Sequence, residues 1–514
     1  MKKKSENLSA LRRMITENLR IQRGGADPVP YIDVSNILDD ICARQNHVIF
    51  ARRGCGKTLL LHHSSQLLIH SSIKAVYLNC EDFKRHSFPN VLIEILDALF
   101  AELERHLPGW FGKKKRSREL IYNIRHDLAK YRLNEDKKET EIVETFESEK
   151  SGSANIEADI SEDTTAALEF SKKTKAETER RYQMVRHKLE ELDLWLPRLK
   201  AQIREFFELS KSVKAVFLQI DDFYHLKRGD QPLVMDYIHR LCKDVPLYFK
   251  VATLRHATNL YADRDGQPIG AQERHDYQPV NIDYTFSDFI KTRSHNKSIL
   301  YEFGKLAKMK SGDIDDLFKG QGFDRLVMAG GGVPRDCLSL FLEIIGTVQS
   351  DSGDGKIGKD DVRILSRSNF ERRIDELKQD SEGGEQDSLI RGIYVFRQFC
   401  IDKETNIFLV SEQLMQQRDR IRDLIYRLLD YRIIHGAGSA LTHKSQSGTY
   451  QAFAIDIGCY AHLRKLHGKF KEIDFAESGA KEKMRSAPIL DETNFESIWV
   501  NSPKNPLESL LVDE

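Results

Sequence analysis

The clearest chemistry in this chain lies in Ala51-Arg52-Arg53-Gly54-Cys55-Gly56-Lys57-Thr58. The apolar run His47-Val48-Ile49-Phe50 precedes these residues and a helical pattern over 59–70 follows, so strand, glycine turn and helix arrive in the order a phosphate-gripping loop requires. Backbone N–H groups from Arg53 to Leu59, with the positive end of the helix, can wrap an anionic phosphate, and Gly54 and Gly56 permit the close approach. In that arrangement Lys57 reaches the outer phosphates and Thr58 places its hydroxyl on magnesium. The GxxxxGK[ST] pattern opens on glycine and this chain has Ala51, a departure of one methyl. The alternative, a turn that merely caps a helix, leaves the Gly-Lys-Thr triplet unexplained.

Two further apolar runs end in polar groups. Ala215 to Ile220 closes on Asp221 and Asp222; Asp221 suits a magnesium shell, and a strand ending in solvated acids is the other reading. Leu247 to Ala252 closes on Thr253, with Arg255 beyond it. Thr253 could hydrogen-bond the attacking water or terminal phosphate and Arg255 could neutralise developing charge, although both also read as ordinary strand-end groups. No zinc spacing accompanies His62-His63, and no GxSxG or HExxH pattern occurs.

Together with Gly330-Gly331-Gly332-Val333-Pro334-Arg335-Asp336, this order resembles the AAA+ ATPases, and within them the origin-recognition-complex-like ATPases and the neighbouring STAND class. The resemblance covers residues 31–348 outside a large insertion and extends more weakly to 460. It implies an α/β fold: a P-loop AAA+ type nucleotide core with helical lid, coiled-coil insertion and C-terminal winged helix. It implies ATP and Mg2+ as ligands, Arg335 contacting the terminal phosphate from a lid helix, and Gly332-Val333-Pro334 in the place of the STAND Gly-x-Pro motif. Asp222 stands where many P-loop ATPases carry a glutamate that orients water; it is one methylene shorter, which implies slow hydrolysis. Lys57, Asp222, Thr253 and Arg335 are thus the catalytic candidates, Arg53, Gly54, Cys55, Gly56, Lys57, Thr58 and Leu59 the nucleotide-binding ones, and Thr58 and Asp221 the metal ligands. Arg274 is a candidate interface arginine.

Several elements must position these groups. The expected order is a basic N-terminal segment (1–30), the nucleotide core (31–111 and 211–296), an insertion (112–210), a helical lid (297–348), a linker and helix (349–386), a winged-helix domain (387–467) and an extended tail (468–514). The insertion far exceeds an ordinary helix-to-strand connection. Ile121, Ile124, Leu128 and Tyr131, and then Tyr182, Val185, Leu189, Leu192, Leu196, Leu199, Ile203 and Phe206, step by threes and fours as the seam of an antiparallel coiled-coil hairpin, with Pro197 a kink outside the seam and a Ser- and acid-rich tip at 135–175. Its basic base, Lys113-Lys114-Lys115-Arg116 and Lys172-Lys173, reads as DNA contact, subunit contact or a solvated face. In the winged helix, Arg418, Arg420, Arg422 and Arg427 would face a DNA groove and Lys444 the backbone, or the domain would latch onto the nucleotide core instead.

Composition bounds the rest. The chain has 514 residues, and 79 Lys+Arg against 79 Asp+Glu exclude a globally basic nucleic-acid coat. Its seven cysteines are scattered without CxxC pairs, as in reduced thiols. The start MKKKSENLSALRR lacks the apolar core of a signal peptide and no apolar run is long enough for a membrane span, so a soluble cytoplasmic protein is expected.

The functional expectation is a nucleotide-controlled AAA+ switch that couples ATP binding and hydrolysis to DNA or a partner protein, in bacterial DNA maintenance or anti-phage defence. The hairpin or the tail would meet the partner, and a homo-oligomer is open. Two alternatives stand beside it: a nucleotide-stabilised scaffold with little ATPase activity that recruits an effector, and a replication-type loader.

Overall fold

The computed structural model describes residues 2–19, 29–33, 36–105, 113–131, 188–210, 212–264, 266–350, 355–381, 383–461, 463 and 469–511. Strands β1 (His47–Phe50), β2 (Ile73–Asn79), β3 (Ala215–Asp221), β4 (Leu247–Thr253), β5 (Tyr261–Arg264), β6 (Gln267–Gly270) and β7 (Gln278–Asn281) come first along the chain. Five of them form a parallel sheet in the order β2-β3-β4-β1-β7, and β5 and β6 pair as a separate antiparallel ribbon. Every residue of β1 and β3 is buried, which is why these segments read as continuous apolar runs: a parallel sheet is covered on both faces. The register sets Phe50 beside Thr253 and Asn79 beside Asp221, so the loops after β1, β3 and β4 emerge along one edge, the usual place for a ligand crevice in an open α/β sheet.

The described part of the insertion differs from a projecting hairpin. The helices Lys113–Tyr131 and 188–209 bury Ile121, Ile124, Leu128, Leu192, Leu199 and Ile203 in one core with Leu99 and Phe100 of the helix Asn90–Arg105 and Val216 of β3. The two helices run antiparallel against each other, with Arg116 on Glu205 (2.7 Å), Asp127 on Arg198 (3.4 Å) and Tyr131 against Trp195 (6.0 Å between ring centres), and their apolar stripes pack in addition on the helix Asn90–Arg105. Helix 188–209 runs through Pro197 without interruption. Tyr182, Val185, Lys172-Lys173 and the tip at 135–175 lie outside the described residues.

A second core joins the rest of the chain. It takes in the helices Phe289–Leu306, Gly322–Ala329 and Pro334–Ser350, where the lid was expected, and the helix Lys359–Asp380, expected as part of a linker. That helix buries Val362, Phe370, Ile374 and Leu377. The N-terminal segment contributes the helix Lys2–Asn18, whose Leu8, Leu11 and Ile15 belong to the same core.

The C-terminal unit runs helix Gly383–Asp402, β8 (Ile407–Ser411), helices Glu412–Gln417 and Asp419–Asp430, then β9 (Ile434–Thr442) and β10 (Thr449–Ile455), with an antiparallel sheet in the order β8-β10-β9. The segment expected to be an extended tail folds back on this unit. Leu409 N–H donates to Pro488 O at 2.8 Å, Leu490 N–H donates to Leu409 O at 2.8 Å, and Phe495 of the helix Glu492–Val500 is fully buried. A lone aromatic among polar residues reads as exposed from sequence; here it fills a core position supplied from far upstream. Among the described residues no helix is long and apolar enough to cross a membrane.

Candidate functional site

The loop between β1 and the helix Lys57–Leu68 is held from three directions. Gly54 (φ +86°) and Gly56 (φ +91°) adopt left-handed conformations, and a Cβ on Gly54 would lie 2.8 Å from Arg335 Cβ, so only glycine lets the loop and the helix Pro334–Ser350 approach this closely. Arg335 N–H donates to Gly54 O at 3.3 Å. Arg52 grips Asp283 through Nε (2.8 Å) and Nη2 (2.9 Å) and donates to Gly331 O and Tyr284 O, each at 3.0 Å. Burial alone would raise the Asp283 carboxyl, but Arg52 outweighs it and holds the group below its usual range. Ala51, the departure from the glycine pattern, is buried, and its carbonyl accepts from Lys57 Nζ at 2.8 Å.

Lys57 is buried and also donates to Arg52 O at 3.3 Å; burial lowers its pKa, opposed by Asp222 and other acids nearby. Thr58 Oγ1 donates to Asp221 Oδ2 at 2.6 Å. The same oxygen accepts from Tyr77 OH at 2.8 Å, and Asp221 Oδ1 accepts from Asp222 N–H at 2.9 Å. Burial first, and the neighbouring Asp222 second, push the Asp221 carboxyl up to about 6. Asp222 itself has φ 52°, a turned-out conformation at the strand end that brings it to the cleft wall.

The cleft measures about 600 Å3. Its lining divides by chemistry: Arg53 to Leu59, Asp222, Arg335 and Asp380 are mostly polar, whereas Tyr31, Ile299, Phe303 and Leu338 are apolar or aromatic. All seven residues expected to bind nucleotide line it. Asp221 sits behind the wall, in hydrogen-bond contact with Thr58. Hard oxygen donors, one hydroxyl and one carboxylate, fit magnesium, which takes few protein ligands and keeps water or phosphate oxygens for the rest. Among the described residues no cluster of three His, Cys, Asp or Glu side chains offers a competing all-protein metal site.

Three expected residues lie elsewhere. Thr253 is fully buried and pairs its hydroxyl with Thr258, and it does not line the cleft. Arg255 ion-pairs with Glu273 at 2.8 Å and stacks over Phe50 with its guanidinium 4.4 Å from the ring centre. Arg274 is exposed in the turn before β7, away from the cleft. Tyr77, Asp283 and Asp380 escaped the sequence reading. Tyr77 lies on β2, whose alternating apolar pattern was a usable signal; Asp283 and Asp380 are single acids that nothing local distinguishes.

The C-terminal unit closes on this site. Arg432 is buried and donates to Arg53 O at 3.1 Å and to Asp336 Oδ1 at 3.3 Å, and it also pairs with Glu376. Burial would raise the Asp336 carboxyl, yet Arg432 and Arg373 hold it down to about 2. Asp430 Oδ2 accepts from Ala257 N–H (2.7 Å) and His256 N–H (3.2 Å) in the turn after β4, and Tyr426 stacks on His256 at 4.1 Å. Meanwhile the basic residues of the helix Asp419–Asp430 and its neighbourhood meet this chain's own acids: Arg418 with Glu492 (2.7 Å), Arg420 with Glu496 (3.1 Å), Arg422 with Asp419 (2.6 Å), Arg427 with Glu385 and Lys444 with Glu482 (3.1 Å).

No family model matches the chain, and no curated protein matches it. Among solved structures it is similar to Cdc6p from Pyrobaculum aerophilum at 12% identity, covering 82% of this chain and 87% of that one with a TM-score of 0.29. It is also similar to a Walker-type ATPase of Pyrococcus abyssi at 9% identity, covering 81% and 90% with a TM-score of 0.37. A third similarity is to a chain of Drosophila ORC bound to DNA at 10% identity, covering 82% and 89% with a TM-score of 0.27.

Proposed function

We propose that the protein is an ATP-binding and ATP-hydrolysing switch of the AAA+ type, in which a C-terminal winged helix acts as a latch on the nucleotide core. One observation carries the reading: Thr58 Oγ1 lies 2.6 Å from Asp221 Oδ2, directly behind a glycine loop whose Lys57, with Asp222 and Arg335, shares a single cleft. Magnesium, when bound, would be held by Thr58 and Asp221 and would neutralise charge on the phosphates. Lys57 leaves its two loop carbonyls to meet the outer phosphates. Asp222 takes the proton of the attacking water, and Arg335 neutralises charge developing on the terminal phosphate. Because Arg335 N–H is tied to Gly54 O, the lid helix and the loop move as one when phosphate binds or leaves.

The latch reading is favoured over a free DNA reader by the contacts of Arg432, Asp430 and His435 on the loops after β1 and β4, and by the carboxylates that already pair with Arg418 and Arg420. DNA or a partner protein would be met after the latch opens. A nucleotide-stabilised scaffold is the second reading; the pairing of Thr253 with Thr258 favours it, since one expected water-orienting group stays outside the cleft.

Calorimetry with Mg-ATP and phosphate release on the full chain test this. Lys57→Ala is expected to weaken Mg-ATP binding at least about tenfold, and Asp222→Asn to retain binding while turnover falls about a hundredfold, the scale of a lost general base. Tight Mg-ATP binding with no turnover in the unaltered protein selects the scaffold, and no heat with Mg-ATP removes both.

A further inference from the structure

Of the polar rings that line the cleft, His295 is the most deeply buried, and the chemistry above does not use it. His295 lies on the helix Phe289–Leu306, is only 5% exposed, and lines the cleft. Its Nδ1 has no hydrogen-bond partner among the described residues, and the ring stacks on Tyr284 with centroids 4.2 Å apart. Burial, assisted by Lys291, pushes its pKa down to about 4, so the imidazole is neutral at ordinary pH. A neutral imidazole has one donor and one acceptor, and leaving either buried without a partner costs free energy.

Its position is specific. Ile299 and Phe303 follow His295 at one and two helical turns on the same face and also line the cleft, while Leu338 faces it from the helix that carries Arg335. The two helices are locked together at this level, because Asn296 Nδ2 donates to Gly332 O at 3.0 Å, just ahead of Arg335. Neighbouring polar groups have other commitments: Asn18 donates its amide to Met14 O at 2.8 Å, and His62 packs on Tyr77 with centroids 5.0 Å apart. Apolar side chains beside a buried ring nitrogen that has no partner are the makings of a site that accepts an aromatic ligand by packing and selects it by a hydrogen bond.

We propose that His295 reads the base of the bound nucleotide: its imidazole hydrogen-bonds one edge of a purine packed among Ile299, Phe303 and Leu338, and thereby sets the preference between adenine and guanine. The inference rests on the nucleotide-binding reading of the cleft. It adds a specificity residue that the glycine loop, which contacts only phosphates, cannot supply. A purine whose edge mismatches the ring leaves His295 buried and unpaired, and the penalty appears as discrimination.

The test is calorimetric titration of the full chain with Mg-ATP, Mg-GTP and inorganic tripolyphosphate, for the unaltered protein, His295→Ala and His295→Gln. The unaltered protein is expected to prefer one purine by about tenfold or more, and His295→Ala to bring the two within about threefold by weakening the preferred one. Tripolyphosphate binding should not change, and His295→Gln, which keeps hydrogen-bonding capacity, should retain part of the preference. A merely structural histidine would instead weaken all three ligands together. An unaltered ATP-to-GTP ratio in His295→Ala, or equal affinities in the unaltered protein, overturns the proposal while leaving the nucleotide site standing. Absence of binding by all three ligands to the unaltered protein overturns the nucleotide site itself. If His295→Ala fails to fold, the purine ratio in His295→Gln decides: a reduced preference with unchanged tripolyphosphate binding supports the role, and an unchanged ratio or uniform weakening of all three refutes it.

Discussion

Arg52 Nη1, in the loop after β1, lies 3.4 Å from His435 Nδ1 on β9, joining positions 383 apart in the chain. Arginine can only donate, so Nδ1 must accept, and the remaining ring nitrogen, 3.0 Å from Asp456 Oδ2, must carry the hydrogen. Asp456 also pairs with Arg373, Arg373 with Asp336 at 2.9 Å, Asp336 with Arg432 at 3.3 Å, and Arg432 with Arg53 O at 3.1 Å. The chain of buried charges thus leaves the phosphate loop at one residue and returns to it at the next. Any displacement of that loop is felt in the C-terminal unit through groups that tolerate no loss of a partner.

The first prediction concerns acid. Burial pushes His435 down from 6.5 to about 4, so the folded state binds fewer protons at this site than the unfolded chain. Stability from the neutral ring is complete above the unfolded value and is lost as pH falls from about 6.5 toward 4. Melting temperature should therefore drop over that window, and His435→Gln should flatten the drop. An unchanged pH slope in His435→Gln would mean that the ring is not held neutral by its burial.

The second concerns Arg432. Replacing it by alanine leaves Asp336 buried beside one arginine fewer and frees the carbonyl of Arg53. Loss of one partner from a buried ionic group costs about 3 kcal/mol, and denaturant titration should show a loss of that size. Arg432→Ala combined with Asp336→Asn should lose clearly less than the sum of the two single changes, because each removes the other's unmatched charge. Additive losses would separate the two residues energetically.

What was legible before the structure was local. Strand, glycine turn and helix around Lys57 are encoded within some twenty consecutive residues, and β3 announces its carboxylates by ending an apolar run. Arg335 was found through a resemblance, and the structure sets it against Gly54. The misses are long-range. Asp283 holds Arg52 from 231 positions away, and no pattern around a single aspartate signals that. Thr253 was chosen because it ends a strand, but strand-end position does not say which way the pleat directs a side chain, and the hydroxyl goes to Thr258. The described parts of the insertion's apolar stripes meet each other and also the helix Asn90–Arg105, a second partner that periodicity does not name, since it reports that a face is covered and not by what.

That correction yields a third prediction. Thr253→Val removes a hydroxyl paired outside the cleft, so turnover and Mg-ATP affinity should stay within about twofold, while stability falls by about 1 kcal/mol for the lost hydrogen bond. Arg335→Ala, by contrast, removes a cleft-facing cation, and phosphate release should fall by about tenfold or more with little change in melting temperature. The opposite pattern, with Thr253→Val inactive and Arg335→Ala unaffected, would return Thr253 to the reacting centre.

The last prediction addresses nucleic acid. Arg420 pairs with Glu496 at 3.1 Å and lies with its guanidinium 4.1 Å from the centre of the Trp499 ring, while Arg418 pairs with Glu492 at 2.7 Å. Both acids belong to the helix Glu492–Val500, which is anchored by the buried Phe495 and so cannot simply drift away. The arginines of the neighbouring helix are therefore matched by carboxylates at close range, and an approaching phosphate backbone meets a neutralised face. Glu492→Gln with Glu496→Gln leaves the anchor intact and unmasks two cations. Duplex DNA affinity measured by anisotropy at low salt should rise several-fold, and the added binding should vanish with increasing salt, because it is made of phosphate contacts. Adding Arg418→Gln and Arg420→Gln should abolish the gain. An affinity that does not move when the acids are neutralised would show that this face is not where the protein meets DNA.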